Sequence, residues 1–540
     1  MNKKLLLGDE AIAQGAIDAG ISGVYAYPGT PSTEIMEYIQ RSLLAKEGTI
    51  HAKWSANEKT AMEEALGMSY AGKRALVCMK HVGLNVAADA FMNSAITGVI
   101  GGLVIAVADD PSMHSSQNEQ DSRYYAKFAQ IPLFEPSNQQ EAYEMTLRAF
   151  DLSENYNVPI LLRITTRLAH SRYGVTLTKA RKPNKLSFPK DPMQFVLLPS
   201  VAKKRYKVLL SNQQFFLKES EQSNFNFYLR GKDDSLGIIT TGIAFNYLME
   251  NFSERNCPFN ILKIGQYPIP INMVKKLYSQ SKEILVLEEG YPFLEEYLRG
   301  IIFSEKKIMG RLTGELPRDG ELNPNIVARA LGLKKETSFK IPDFLANRPP
   351  ELCPGCGHRD LYKALNEVMK NYGPQRVFSD IGCYTLGALP PLNAINSCVD
   401  MGASITMAKG AADAGVRPSI AVIGDSTFTH SGITGLLDAV NENAPITVII
   451  LDNSVVAMTG GQDAAGEGKI ANICRGVGVE TSHIRIIEPL PKNHNLMVQI
   501  LKEEIEYNGV SVVIARRECI QTLTRRKKAT IKSKKITVTK

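Results

Sequence analysis

Asp425 and Asn453 are a carboxylate and an amide 28 positions apart, in the stretch GDSTFTHSGITGLLDAVNENAPITVIILDNSVVAMTGGQ. The apolar run Ile420–Ile423 ahead of Gly424-Asp425-Ser426 reads as a buried parallel strand. A helix over Gly432–Val440 follows, and a strand over Ile446–Leu451 returns the chain to Asp452-Asn453. One βαβ unit thus sets two hard oxygen donors at neighbouring strand ends, where ligands bind in open parallel sheets. Such donors suit Mg²⁺ holding a diphosphate, because Mg²⁺ takes one or two protein groups and completes its shell with phosphate oxygens. A Gly-Asp pair after a strand is also an ordinary turn into a helix, and only the spacing to Asn453 adds specificity. Ser426 and Thr427 orient the diphosphate on this reading; on the plainer one Ser426 caps the helix.

The cysteines offer a second chemistry. Cys353-x₂-Cys356 has metal-ligand spacing, Cys383 comes 27 residues later, and Cys519 follows a strand over Val510–Ala515. Four thiolates converging on one sheet edge would hold a [4Fe–4S] cluster. The first pair alone fits zinc equally well, and thiols that merely pack in Gly-rich loops are a third reading. Cys78, Cys257, Cys398 and Cys474 stand singly, and each is expected to be a small buried or half-buried side chain.

These residues need a scaffold, and the chain supplies an alternating one. Val24–Ala26, Ala75–Met79, Leu103–Ala108 and Ile160–Ile164 read as strands, with helices over Asn57–Tyr70, Leu84–Ile96 and Asn138–Leu152 between them. The alternation lapses over 170–233, apart from a helix over Val201–Ser223, resumes at Ser235 and runs to about Leu333. A third α/β stretch carries the Asp425–Asn453 unit. The expected fold class is α/β, with three doubly wound parallel-sheet domains. Their spans are 1–185, 235–335 and 351–520, with linkers at 186–234 and 336–350 and a basic tail at 521–540.

Composition fits that class, with 44% apolar and 22% charged residues. No signal peptide is evident, and the longest apolar stretch, Ile96–Ala108, is too short to span a bilayer. The expectation is a cytoplasmic protein without membrane association. The net charge of +8 is local: the last twenty residues hold eight Lys/Arg and no acid, and the remainder is neutral. A basic run confined to a chain end is expected to be solvated and disordered, and to dock an acidic partner rather than nucleic acid.

Several motifs together carry a family resemblance. Gly424-Asp425 followed by Asn453 resembles the thiamine diphosphate signature. Met458-Thr459-Gly460-Gly461-Gln462, Cys353-Pro354-Gly355-Cys356-Gly357-His358, Ser379-Asp380-Ile381-Gly382-Cys383, Tyr27-Pro28-Gly29-Thr30-Pro31 and Trp54-Ser55-Ala56-Asn57-Glu58 resemble those of the 2-oxoacid:ferredoxin oxidoreductases. With both halves in one chain, the sequence over about residues 5–520 looks most like the large (alpha) subunits of indolepyruvate ferredoxin oxidoreductases.

The resemblance implies a thiamine diphosphate-binding fold, with a pyrimidine-binding first domain, a transketolase C-terminal-like second domain and a diphosphate/Mg-binding third domain. It implies Mg²⁺ on Asp425, Asn453 and the Val455 carbonyl, with Gly382, Cys383, Gly424, Ser426, Thr427, Met458 and Thr459 around the cofactor. It implies one [4Fe–4S] cluster on Cys353, Cys356, Cys383 and Cys519. Glu58 matches the acid that hydrogen-bonds the aminopyrimidine, and Thr30 the hydroxyl that meets the substrate. Taken alone, Glu58 would be a solvated partner of a helix dipole and Thr30 a cap of a helix over Pro31–Ile39. In the polar loop 109–123, Arg123 is a candidate anion binder and His114 a candidate proton carrier.

The implied reaction is oxidative decarboxylation of an aryl 2-oxoacid with coenzyme A to an aryl-acetyl-CoA, CO₂ and reduced ferredoxin. Non-oxidative decarboxylation, or a non-catalytic docking subunit, are the alternatives. No cysteine follows Cys519, whereas many such subunits continue into a ferredoxin-like segment. Further redox centres are therefore expected from a small (beta) subunit in a hetero-oligomer.

Overall fold

The computed structural model describes residues 3–189, 191, 193–301, 306–333, 342–345 and 350–528. It comprises two compact units, Met1–Phe339 and Lys340–Lys540.

The first unit is built on two large sheets and a two-stranded one. The near-continuous apolar runs Ala75–Lys80, Leu103–Asp109 and Ile160–Thr165 are buried on both faces, as central strands of a parallel sheet must be. They sit within a seven-stranded sheet of order Gln266–Tyr267, Leu133–Phe134, Ile160–Thr165, Leu103–Asp109, Ala75–Lys80, Gly23–Ala26, His51–Trp54. All neighbours are parallel except the edge strand Gln266–Tyr267. That strand arrives from the second half of the unit, so the two sheets interlock. The second sheet has the order Ile308–Met309, Glu283–Leu287, Asp233–Thr241, Phe259–Ile264, Phe227–Leu229.

Helices cover the first sheet much where periodicity places them. The segment expected as one helix over Leu84–Ile96 is instead two, His81–Val86 and Ala88–Thr97. The segment expected to link domains, 186–234, is largely folded. Its helix Pro199–Glu221 buries Leu209 and Phe216, and its strand Phe227–Leu229 pairs antiparallel with Phe259–Ile264. An antiparallel pair not anticipated from sequence, Lys3–Leu7 with Arg172–Thr176, ties the two ends of the first α/β stretch together.

The second unit is built on a five-stranded, wholly parallel sheet of order Val377–Ser379, Ile420–Gly424, Thr447–Asp452, Ser511–Arg516, Ile484–Ile487. Its two faces bury separate apolar clusters, one around Leu361, Leu365 and Leu501, the other around Ile405, Leu436 and Cys474. The basic tail, expected to be disordered, starts as helix: residues 520–528 are helical, and 529–540 lie outside the described residues. The linker expected at 336–350 also lies mostly outside them. No helix among the described residues is long and apolar enough to cross a membrane.

Candidate functional site

In the second unit, strand register brings the predicted residues to one edge. Gly424 pairs with Leu451, so Asp425 and Asp452-Asn453 leave adjacent strands at their carboxyl ends. Asp452 pairs in turn with Arg516, which brings the 517–519 segment to the same edge. Ser379 pairs with Val422, so the Asp380–Cys383 loop emerges there too. Helix Gly357–Met369 runs back along the sheet before Val377–Ser379, so Cys356, at its N-cap, lies at that edge.

Asp425 is almost fully buried; Oδ1 accepts the Ser426 N–H at 2.7 Å and Oδ2 has no partner. Burial, and then the neighbouring Asp452 carboxylate, push its carboxyl up to about 7. Asp452 accepts Arg516 Nε at 2.7 Å on Oδ2 and leaves Oδ1 unpartnered. Asn453 Oδ1 accepts the Val455 N–H at 3.1 Å. Two buried carboxylate oxygens without donors, beside an amide oxygen, fit a hard cation.

Tyr384 organises the floor beside Asp425. Its ring lies where a Cβ on Gly382 or Gly424 would sit, 2.3 and 2.6 Å from its nearest atom. Its hydroxyl bonds Asp380, whose carboxyl burial pushes up to about 6. Thr427 Oγ1 donates to the Ile381 carbonyl at 3.1 Å. Ser426 is not the helix cap: Gly424 holds that position and Ser426 lies inside the turn Asp425–Thr427. Helix Ala403–Asp413 begins close by, with the Ser404 N–H on Asp380 Oδ2 at 3.2 Å and the Ser404 hydroxyl unpartnered. Thr459 Oγ1 donates to Gln462 Oε1 at 2.6 Å, while Met458 is exposed. Val455–Val456 and Gln462–Asp463 form a small hairpin.

The four predicted thiols share this edge. Cys356 N–H donates to the Cys353 carbonyl at 3.1 Å, and Cys519 N–H to the Asn453 carbonyl at 3.3 Å. Burial pushes the Cys383 thiol up to about 12, with Cys356, Cys519, Cys353 and Asp425 adding repulsion. Burial likewise raises Cys356, and Cys353 and Cys519 act on it. All eight cysteines are free. Cys78 and Cys474 are buried and Cys257 half-buried, but Cys398, expected to be covered, is exposed, because it sits in the irregular 390–402 stretch rather than on a strand.

In the first unit, Asn57 caps helix Glu58–Tyr70 by accepting the Thr60 N–H at 2.8 Å. Glu58 is buried, unlike the solvated acid its position alone suggests, whereas Glu63 and Glu64 are exposed. A Cβ on Gly83 would lie 2.5 Å from Glu58 Oε1, so the bare glycine makes room for the carboxyl group. Thr30 is half-buried in the loop after strand Gly23–Ala26, and its carbonyl accepts Ser115 Oγ at 3.2 Å. It caps nothing, because the helix begins only at Thr33.

Lys80, which sequence reading passed over, ends strand Ala75–Lys80 beside these groups. Its stem packs on Gly29, its Nζ donates to the Ser115 carbonyl at 3.2 Å, and burial lowers its ammonium against the pull of Asp110 and Glu58. A lysine closing an otherwise apolar strand was the available signal. His358 closes the Cys353–His358 motif. It is buried with both ring nitrogens unpartnered and is pushed down to about 4 by burial.

Arg123 is not an anion binder. It is wholly buried, with Asp121 on one side and Glu288 Oε2 at 2.8 Å on the other. His114 is half-exposed, 3.4 Å from Glu321.

Comparison with known proteins places this arrangement. The family described as "Pyruvate flavodoxin/ferredoxin oxidoreductase, thiamine diP-bdg" matches residues 14–205, and "Thiamine pyrophosphate enzyme, C-terminal TPP binding domain" matches 380–515. "Indolepyruvate oxidoreductase subunit IorA" of Archaeoglobus fulgidus is 39% identical across 99% of this chain and 90% of its own length. The chain belongs to the IorA family. The IorA of Methanothermobacter thermautotrophicus is also 39% identical, across 96% of this chain and 87% of its own. A 2-oxoglutarate:ferredoxin oxidoreductase from Magnetococcus marinus overlaps 61% of this chain and 65% of its own at 16% identity, with a TM-score of 0.49, too distant to place any residue. Family membership makes the chain a thiamine diphosphate-dependent oxidoreductase subunit with an α/β fold.

Proposed function

We propose that the chain is the catalytic large subunit of an arylpyruvate oxidoreductase of the indolepyruvate type. An aryl 2-oxoacid and coenzyme A become an aryl-acetyl-CoA and CO₂, releasing two electrons and one proton. Cys353, Cys356, Cys383 and Cys519 would hold a [4Fe–4S] cluster, which would supply a one-electron carrier toward a small subunit and ferredoxin. The observation that carries this reading is the gathering of four free thiols at the edge where Asp425 and Asn453 end their strands.

Thiamine diphosphate, when bound, supplies the carbon nucleophile and electron sink that decarboxylation needs. Asp425 Oδ2, Asn453 and the Val455 carbonyl would hold Mg²⁺, and Gly382, Gly424, Ser426, Thr427, Met458 and Thr459 would line the diphosphate site. Helix Ala403–Asp413 starts beside Asp380, whose Oδ2 accepts its Ser404 N–H at 3.2 Å. In the pyrimidine half-site, Glu58 holds a proton at the ring nitrogen, and its burial beside Gly83 keeps water from competing for it.

Thr30 and Lys80 receive the substrate carboxylate and carbonyl. Replacing Lys80 with Met should raise KM for the 2-oxoacid about tenfold to a hundredfold, the worth of a charged hydrogen bond at about 1.5–3 kcal/mol. Affinity for thiamine diphosphate should stay as it was. Steady-state kinetics beside calorimetry separates the two, and an unchanged KM removes Lys80 from the substrate site.

Among the described residues no three of these thiols come within 4.8 Å of one another. A single tetrahedral zinc with Zn–S bonds of about 2.3 Å needs its sulfurs nearer than that, at about 3.8 Å; a cubane cluster takes a wider set. Anaerobically purified protein should carry about four irons per chain and broad visible absorbance that air bleaches. Cys383→Ser should lose both. Colourless wild-type protein that releases aldehyde from the 2-oxoacid would establish the non-oxidative reaction instead.

A further inference from the structure

The first unit holds a second set of ligating groups that the thiamine chemistry does not use. Asp9 is the second residue of helix Gly8–Asp18, Glu34 the second of helix Thr33–Arg41, and His170 the last of helix Thr166–His170. The first helix precedes strand Gly23–Ala26 and the second follows it, so both begin at that strand's carboxyl end. Strand Ile160–Thr165, parallel within the same sheet, delivers His170 to the same edge.

One ligand atom from each of the three lies within 4.8 Å of the other two. Asp9 is completely buried, and neither of its carboxylate oxygens has a hydrogen-bond partner. The charged groups that act on it are two more carboxylates, Glu34 and Glu10. Glu34 Oε2 forms a 3.6 Å ion pair with His170 Nε2, longer than a hydrogen bond, and has no hydrogen-bond partner. Buried carboxylates are ordinarily paired or bound to a metal. Here two of them face one imidazole, and among the described residues no lysine or arginine forms an ion pair with either, Arg41 acting on Glu34 only at longer range.

We propose that Asp9, Glu34 and His170 bind a zinc ion, with water in the remaining position. One imidazole and two carboxylates are zinc donors, whereas Mg²⁺ and Ca²⁺ select oxygen alone. A tetrahedral ion with bonds of about 2.0 Å asks for ligand atoms about 3.3 Å apart. Rotamer shifts of the half-exposed Glu34 and His170 close the difference. Glu34 stands four residues after Thr30, so the ion pins the turn that carries this hydroxyl to the sheet edge and to the helix Gly8–Asp18.

The test uses the full-length protein, equilibrated anaerobically with Zn²⁺ and freed of excess. Zinc-edge X-ray absorption of the wild type should show a nitrogen/oxygen shell at about 2.0–2.1 Å that sulfur at about 2.3 Å does not account for. Metal analysis should find about one zinc per chain fewer in Asp9→Asn and in His170→Gln than in the wild type. Both variants should keep the visible absorbance of the parent, and Zn²⁺ should raise the melting temperature of the wild type but of neither variant. Asp9→Asn is nearly isosteric, and the absorption spectrum of the wild type needs no variant at all. A spectrum with sulfur ligands only, or equal zinc in all three proteins, overturns the proposal and makes Asp9 a carboxyl group kept protonated beside a Glu34–His170 pair.

Discussion

Asp425→Ala will not bind thiamine diphosphate with Mg²⁺, yet it will fold. Asp425 Oδ2 is an unpartnered carboxylate oxygen at the strand ends; the Asp452 carboxylate beside it is already neutralised by Arg516, and Asn453 offers only a neutral amide oxygen that also accepts the Val455 N–H. A hard cation left with neutral donors has little to bind. The same side chain weakens the cofactor-free fold. Its carboxyl titrates at about 7 in the folded chain, against an ordinary value of 3.8. Below 3.8 both states are protonated and nothing is lost. Between there and about 7 the unfolded chain releases a proton that the folded chain keeps, so stability falls as pH rises, by a few kcal/mol at most. Melts should therefore show Asp425→Ala gaining on the parent from pH 4 to pH 8 without cofactor. Calorimetry should show no binding at either pH. In the parent, affinity should drop about tenfold per pH unit below about 7, since the cation must displace that proton. Binding by the variant equal to the parent's would remove Asp425 from the metal.

Glu58→Gln should separate binding from turnover. The amide fills the same pocket beside Gly83, so cofactor affinity should stay within about tenfold, roughly 1.4 kcal/mol. It cannot share a proton with the ring nitrogen, and proton transfer by a positioned acid contributes about 10²–10⁴-fold. Turnover of a 2-oxoacid at saturating cofactor should fall by that factor. Activity within a few-fold of the parent would mean that another acid serves the pyrimidine.

The placement of Asp425 at a strand end was legible because it is local. Apolar runs over Ile420–Ile423 and Ile446–Leu451 become strands Ile420–Gly424 and Thr447–Asp452, and a βαβ unit fixes where their ends go. Arg123 shows what was not legible. In sequence it closes a polar loop; in the fold it is buried on Glu288, 165 residues away. No pattern near Arg123 reports a partner so distant. Thr30 and Ser426 were ambiguous for the opposite reason: cap and site readings want the same hydroxyl, and only the start of each helix, two residues either way, separates them. The start of the basic tail, 521–528, misled through composition, since its charges suit an exposed helical face as well as a solvated coil. Lys80 and the Asp9–Glu34–His170 set needed the sheet itself, because register alone decides which strand ends become neighbours.

Between the two sheets of the first unit lies a dry ionic lattice. Arg123 and Arg163 meet Asp109, Asp121, Glu135 and Glu288, with side chains at most 3% exposed. Tyr267, on the strand the second sheet's half lends to the first, donates to Glu135 at 2.9 Å. Such pairs contribute little net stability when complete, but breaking one costs about 3–5 kcal/mol, because a charge is stranded without water. The chain therefore cannot be divided at residue 235 into two viable pieces: a fragment ending there would bury Arg123 without Glu288 and lack an edge strand. Evolution can exchange the loops around this unit, but it can lose or recombine the second sheet only by rebuilding the charges beneath it.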